Sequence, residues 1–253
     1  MLCRSMTTIL QTQIPYNPLS TKALPGIQPL APQDWLLPDD AFSAQMKERE
    51  RLLAHHRDQV LMLADHAMPA AQELLHLVLE HLYPQHRGDQ LERLDESGIE
   101  LDWEDPLGTL GRITQQDFCI LEKQGDEHVM TGAVLCFPAS WTLSEKYLKP
   151  LIGIHQTVAE YDVGIGKRVQ RLFNGVQVGR PLWRFNSLWY HDPSLFQPRS
   201  QHQPRDKVNE AEAGYMRSEK QMILRLPESR AVVFCIHTHV VTRANVFAQW
   251  GKQ

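Results

Sequence analysis

Only 4 of the 253 residues are cysteine: Cys3, Cys119, Cys136 and Cys235. They are far apart and include no CxxC pair, so neither a disulfide framework nor a cysteine-bound iron–sulfur cluster can be built from them. Reduced, buried thiols in a cytoplasmic protein are the expectation. Excess positive charge is missing too. With 26 Lys and Arg against 30 Asp and Glu, the net charge is −4, which leaves no concentrated basic face for nucleic acid. No run reaches the roughly 18 to 20 apolar residues of a membrane helix. The opening MLCRSMTTIL lacks the apolar core and small-residue cleavage site of a secretory leader. Gly164-Ile165-Gly166-Lys167 lacks Walker spacing, no Gly-x-Ser-x-Gly elbow occurs, and the histidines of the amino-terminal half form no HExxH pair.

What is present falls into three stretches. Residues 1–38 hold Pro15, Pro18, Pro25, Pro29, Pro32 and Pro38, which prevents regular helix and predicts an extended arm lying on the rest. Residues 39–110 form the helical part. One helix is capped by Asp39 or Asp40 and carries Phe42, Met46, Leu52, Leu53, Val60 and Leu63 until Met68-Pro69 breaks it. A second over about 70–83 is stopped by Pro84, and the two are expected to pack as an antiparallel pair. Asp95 to Asp105 reads as an acidic loop.

From residue 111 to 253 the period turns extended. Strands are predicted around Phe118–Ile120 and Val129–Phe137 with a turn at Gly125-Asp126. A helical stretch from Trp141 to Ile154, interrupted by Pro150, and a short helix near 163–173 come next. Three strands, Leu182–Tyr190, Tyr215–Arg225 and Ala231–Val241, close the chain, the last two joined by the hairpin LPES. The segment 196–213 reads as a mobile loop. The fold class is α/β: an antiparallel sheet with flanking helices, preceded by the arm and the helical pair.

Candidate chemistry gathers at the carboxy-terminal end of the predicted helix and on the closing strands. His155 follows Leu151, Ile152 and Ile154, where an imidazole facing an apolar cavity is suited to hold haem iron. Alternation along a strand puts Arg184 and Asn186 on one face and Trp183 and Phe185 on the other, and gives Arg217, Glu219 and Gln221 a common face. A buried Glu219 near Arg184 would make a polarised pocket for a small amine, whereas the same pair on a solvated face would be an ordinary cross-strand salt bridge. Cys235, His237 and His239 share one side of the last strand, a spacing that could deliver two or three ligands to a transition metal.

The phrases DWLLPDDAF (34–42), DFCILEK (117–123), GAVLCFPASW (132–141), LIGIHQTVAEYD (151–162), PLWRFNSLWYHDPSLFQP (181–198), YMRSEKQMILRLPES (215–229) and VVFCIHTHVV (232–241) together resemble the α-subunit-like proteins of haem-dependent oxidative N-demethylase. The order strand, strand, helices, three strands is similar to a PAS domain, whose sheet and crossing helices enclose a ligand. The resemblance implies b-type haem held by His155 as the metal ligand. Leu148, Leu151, Ile152, Phe185 and Val233 would line it, and Arg217, Arg225 and Lys167 would meet its propionates. It implies oxidative N-demethylation of a small secondary amine, with dioxygen as oxidant and electrons from a partner reductase carrying FMN and a 2Fe-2S cluster. Arg184, Glu219 and Asn186 would orient substrate and oxygen. Ile236-His237-Thr238-His239 stands where the family carries an Ile-Arg-Thr-Tyr-like phrase, putting His237 in the place of an oxygen-polarising arginine. Ser187 likewise replaces a usual aromatic. Alternatives are a haem-based gas or redox sensor without turnover, a metal-binding protein built on Cys235, His237 and His239, and a scaffold without cofactor.

Overall fold

The computed structural model describes residues 8–20, 26–154, 163–204 and 208–251. Its centre is a seven-stranded sheet in which every pairing is antiparallel. In chain order the strands are β1 (Gln28–Pro29), β2 (Leu61–Leu63), β5 (Asp117–Gln124), β6 (Glu127–Val134), β7 (Leu182–Tyr190), β8 (Tyr215–Arg225) and β9 (Val232–Thr242). A separate hairpin holds β3 (Gln90–Glu92) and β4 (Gly98–Glu100). The spatial order is β1-β7-β8-β9-β5-β6-β2. The five long strands therefore run second, first, fifth, fourth, third, and the two short strands from the amino-terminal part close the edges. Strands β5 and β6 are joined by Gly125-Asp126, with Gly125 at φ +62°, a left-handed conformation that glycine adopts without steric cost.

The helices are α1 (Phe42–His55), α2 (Arg57–Val60), α3 (Met68–Leu82), α4 (Pro106–Ile113), α5 (Leu151–Ile154), α6 (Val163–Gly175) and α7 (Arg243–Trp250). Four expectations need correction. The first helix ends at His55, so Val60 lies in α2 and Leu63 in β2. Its cap is Ala41, while Asp39 instead accepts from the Ala41 amide at 2.9 Å. Pro69 opens α3 rather than breaking a helix, because proline fits the first helical turn, where its missing N–H costs nothing. Helices α1 and α3 both pack on α4 rather than forming a simple pair. That helix was hidden behind the acidic loop. Asp105 caps it by accepting from Gly108 N at 3.2 Å, and Leu107, Leu110 and Ile113 face inward. A Cβ on Gly111 would come within 2.8 Å of Leu53 Cδ1 and 3.1 Å of Val134 Cγ2, so a small residue is what lets α4 sit between α1 and β6. Pro150 does split the stretch before 154 into a 3-10 turn at Leu143–Glu145 and α5.

The sheet carries a different core on each face. On one side, Phe118, Ile120, Met222, Val233 and Cys235 pack with α1, α3 and α4. On the other, Cys119, Leu121, Met130, Ile223 and Ile236 pack with Leu151 of α5 and Phe173 of α6. Strand β9 outruns β5 beyond the Asp117–Ile236 pair, leaving backbone groups that need partners. The arm and α1 supply them. Gln11 N donates to Val240 O at 2.9 Å, Val240 N donates to Gln11 Oε1 at 2.8 Å, and the Gln11 and Gln45 side-chain amides both donate to Thr238 O at 3.1 Å.

Where these layers meet lies a fully buried ion pair, Arg49 with Asp117 at 2.7 Å. Arg49 also donates to the carbonyls of Gly111, Gln115 and Gln116. Asp117 accepts from the amides of Cys136 and Phe137 at 2.8 and 2.9 Å. Arg49→Met should lower stability by about 3–5 kcal/mol, since it strands a buried carboxylate. Asp117→Leu in the same background should recover part of that loss, as read by denaturant unfolding in a double-mutant cycle.

Candidate functional site

Alternation sorts the closing strands into rows, and on the face toward α5 and α6 the rows bring the proposed polar residues together. Arg184 pairs with Gln221 and Ile236, Asn186 with Glu219 and Thr238, and Leu188 with Arg217 and Val240. Glu219 is thus the middle of a polar patch at one end of an otherwise apolar floor, which continues through Phe234 and Ile223 to Phe173 and Leu151. Asn186, across from it, is exposed.

Glu219 is 9% exposed. Burial pushes its carboxyl above the usual range, against the opposing pull of Arg217. It accepts from Gln221 Nε2 at 3.1 Å and stands 3.7 Å from Arg217 Nε. Among the described residues its ion pair is therefore with Arg217, not Arg184. Three buried polar atoms around it make no hydrogen bond: Arg184 Nε, Arg217 Nε and Thr238 Oγ1. Burial also lowers the Arg184 pKa, while the Glu219 charge pulls it upward. Unpaired buried donors are costly and mark places where a ligand can supply the missing partner.

The other residues singled out in the sequence sit as follows. Arg217 spends its terminal nitrogens on Leu195 O at 2.9 Å and Phe137 O at 2.6 Å. Arg225 binds the carbonyls of Phe173, Val176 and Arg230 at 2.6–2.7 Å, capping the end of α6. His155 lies outside the described residues, two positions beyond Gly153 and directly after Ile154 of α5. Lys167 belongs to α6, and its side chain is outside what is described.

His237 does not join Glu219 and Arg184. It pairs with Lys220, one residue out of phase with Glu219, and so points to the opposite face of the sheet. The same alternation removes Phe185 and Val233 from the lining. Phe185 stacks on Tyr16 of the arm at 4.8 Å, and Val233 lies in the core under α1 and α3. Leu148 and Ile152 are exposed at 50% and 43%, while Leu151 is buried.

On that opposite face Asp39 completes a second cluster. His237 Nε2 is 2.8 Å from Asp39 Oδ2 and His239 Nε2 is 3.8 Å from it. The two imidazoles stack with centroids 4.4 Å apart. Burial, reinforced by His237, drives the His239 pKa down to about 3. Asp39 is held below the ordinary carboxylate range by its hydrogen bond from His237, despite burial. Cys235 is not part of this group: it lies in the apolar core, and burial raises its thiol pKa. Asp39 was read in the sequence only as a helix cap, and its spacing from residue 237 gave no signal of contact.

The donors at the patch suit haem: beside an apolar floor, Arg184 Nε and Thr238 Oγ1 are buried without a hydrogen-bond partner and are of the kind that meets a porphyrin carboxylate. Among the described residues no helix is long and apolar enough to cross a membrane. A family model described as haem-dependent oxidative N-demethylase, alpha subunit-like, matches residues 26–250.

Burial raises the Glu219 pKa from its ordinary 4.5, so the folded state holds that proton more tightly than the unfolded state. The resulting stabilisation is complete below the unfolded pKa and is lost as pH rises through the folded value. The stability of the parent relative to Glu219→Gln should therefore fall as pH rises from the acid side toward neutrality. Parallel urea titrations across that range check it. A difference independent of pH would contradict the assignment of Glu219 as a buried, raised carboxyl.

Proposed function

The chain belongs to the haem-dependent oxidative N-demethylase, alpha subunit-like family, and from that membership and the Glu219 patch we propose that it is the haem-binding subunit of an amine N-demethylase. Residues 111–253 act as a PAS-like haem domain, a reading supported by the spatial order β6-β5-β9-β8-β7 of its long strands. The observation that carries the proposal is the buried Glu219, paired with Arg217, beside the unpartnered Arg184 Nε and Thr238 Oγ1 on the sheet face that α5 and α6 pack against.

In this reading the group would be b-type haem, held at its iron by His155 and at a propionate by Lys167. Haem, when bound, would supply an iron centre for one-electron and dioxygen chemistry. The chain's own residues do the rest. Glu219 accepts an N–H from a small secondary amine and fixes its nitrogen at the polar end of the floor. Arg184 Nε donates toward an electronegative atom of the ligand, and Asn186, at the exposed edge of the row, orients the substrate as it enters. The apolar floor excludes water beyond them. Electrons come from a partner reductase holding FMN and a 2Fe-2S cluster, since the four cysteines of this chain do not cluster. A cytoplasmic location suits that partnership.

Titrating purified protein with haem should give a Soret band that His155→Ala abolishes or shifts. In the haem-loaded protein, Glu219→Gln should weaken the spectral change induced by dimethylamine about 10- to 100-fold, the loss of a charged hydrogen bond worth ~1.5–3 kcal/mol. Arg184→Ala should speed autoxidation. Haem uptake with an unaltered His155→Ala spectrum would overturn the ligand, and unchanged amine response in Glu219→Gln would overturn the pocket.

A further inference from the structure

We propose that Asp39, His237 and His239 form a binding site for a divalent first-row transition ion, of which zinc is the reference case, on the sheet face opposite the Glu219 patch. The ligands are Asp39 Oδ2 and the two imidazole Nε2 atoms. One ligand atom from each residue lies within 4.8 Å of the others. Ligand atoms tetrahedrally placed about 2.0–2.1 Å from zinc stand roughly 3.3 Å apart. The 2.8 and 3.8 Å to Asp39 Oδ2 straddle that spacing, and the two imidazoles, stacked 4.4 Å apart, would turn their Nε2 edges toward the ion. Both histidines are 3% exposed and Asp39 borders solvent with its side chain 18% exposed. The three groups are thus gathered in the interior with Asp39 on the solvent side.

The surroundings hold Asp39 and His237 in place by hydrogen bonds and leave His239 to a ligand. His239 Nδ1 is buried without a hydrogen-bond partner of ordinary geometry, and its Nε2 stands beyond hydrogen-bond reach of Asp39. With the Ser218 backbone beside its ring, Nε2 is the His239 atom left to a ligand. Asp39 Oδ1 is oriented by the Ala41 amide at 2.9 Å and the Gln115 amide at 2.8 Å, while Oδ2 accepts from Gln11 Nε2 at 2.9 Å and from His237, and the lone pair that meets His237 is the one an ion would take. His237 Nδ1 is met by the Gln116 side-chain amide at 2.6 Å. On metal binding the His237 proton moves from Nε2 to Nδ1, and Gln116 turns its amide so that Oε1 accepts it. The Gln116 NH2 then faces Thr114 Oγ1, which now bonds Oε1. No net proton is lost. An imidazole ligand whose other nitrogen donates to a fixed oxygen is the usual support of a bound metal.

The donor set of two imidazoles and one carboxylate, without Cys235, suits zinc or ferrous iron. Its place gives it a consequence: Asp39 follows the arm and His237 lies on β9, so the ion would clasp the amino-terminal part onto the sheet.

The test uses EDTA-treated, haem-free full-length protein, so it does not depend on the haem reading. One equivalent of Zn2+ should be retained after desalting and should raise the melting temperature. Co2+ should give the d–d bands of a nitrogen and oxygen site. His239→Gln and Asp39→Asn should each lower Zn2+ affinity at least tenfold while keeping the parent's far-UV circular dichroism. If the variants fail to fold, the Co2+ spectrum of the parent still decides. Absence of stoichiometric uptake by the parent overturns the site. A strong cobalt–thiolate charge-transfer band removed by Cys235→Ser overturns this donor set.

Discussion

The buried Arg49–Asp117 pair is the constraint from which both faces of the sheet take their geometry. An uncompensated charge in that position would cost several kcal/mol, so every neighbour is arranged to satisfy it. Arg49 gathers the end of α4 and the backbone of Gln115 and Gln116, while Asp117 gathers the chain leaving β6 through Cys136 and Phe137. The consequences radiate from there. Gln115 and Gln116, held by their carbonyls, turn their side chains to Asp39 and His237. Phe137, held by its amide, offers its carbonyl to Arg217, which lies beside Glu219. One ion pair thus indexes the arm cluster on one face and the carboxylate patch on the other.

The two-residue period of β8 and β9 then keeps the two chemistries apart. Glu219 and Thr238 face α5 and α6, while Lys220, His237 and His239 face the arm. A buried carboxyl with raised pKa and a pair of stacked imidazoles would short-circuit one another in a shared cavity. Separated by the sheet, each keeps its own protonation state.

Much of this was legible in sequence because strands advertise themselves by alternation. The ranges Leu182–Tyr190 and Tyr215–Arg225 and the Gly125-Asp126 turn coincide with the structure; alternation paired Arg184 with Asn186 on one strand and Glu219 with Arg217 and Gln221 on the other, and the register of β7 with β8 brings the two sets onto one face. Helix α4 was harder to see because eight residues give barely two turns of periodicity, and Asp105-Pro106, its cap and first residue, resemble the end of a loop. Strand β2 was absorbed into the preceding helix because three residues at a sheet edge carry no period at all. His237 was grouped with the distal residues by motif position, although its parity in β9 already set it on the other face. Asp39 could not be found from sequence: the contact with His237 spans 198 residues and depends on the arm folding back along β9.

The most direct test of the account is an experimental structure of the haem-loaded protein. The account predicts haem on the sheet face of Glu219, held at its iron by His155, with Glu219 and Arg184 lining the same site. Haem seated on the Asp39, His237 and His239 face, or iron ligated by a residue other than His155, would contradict it.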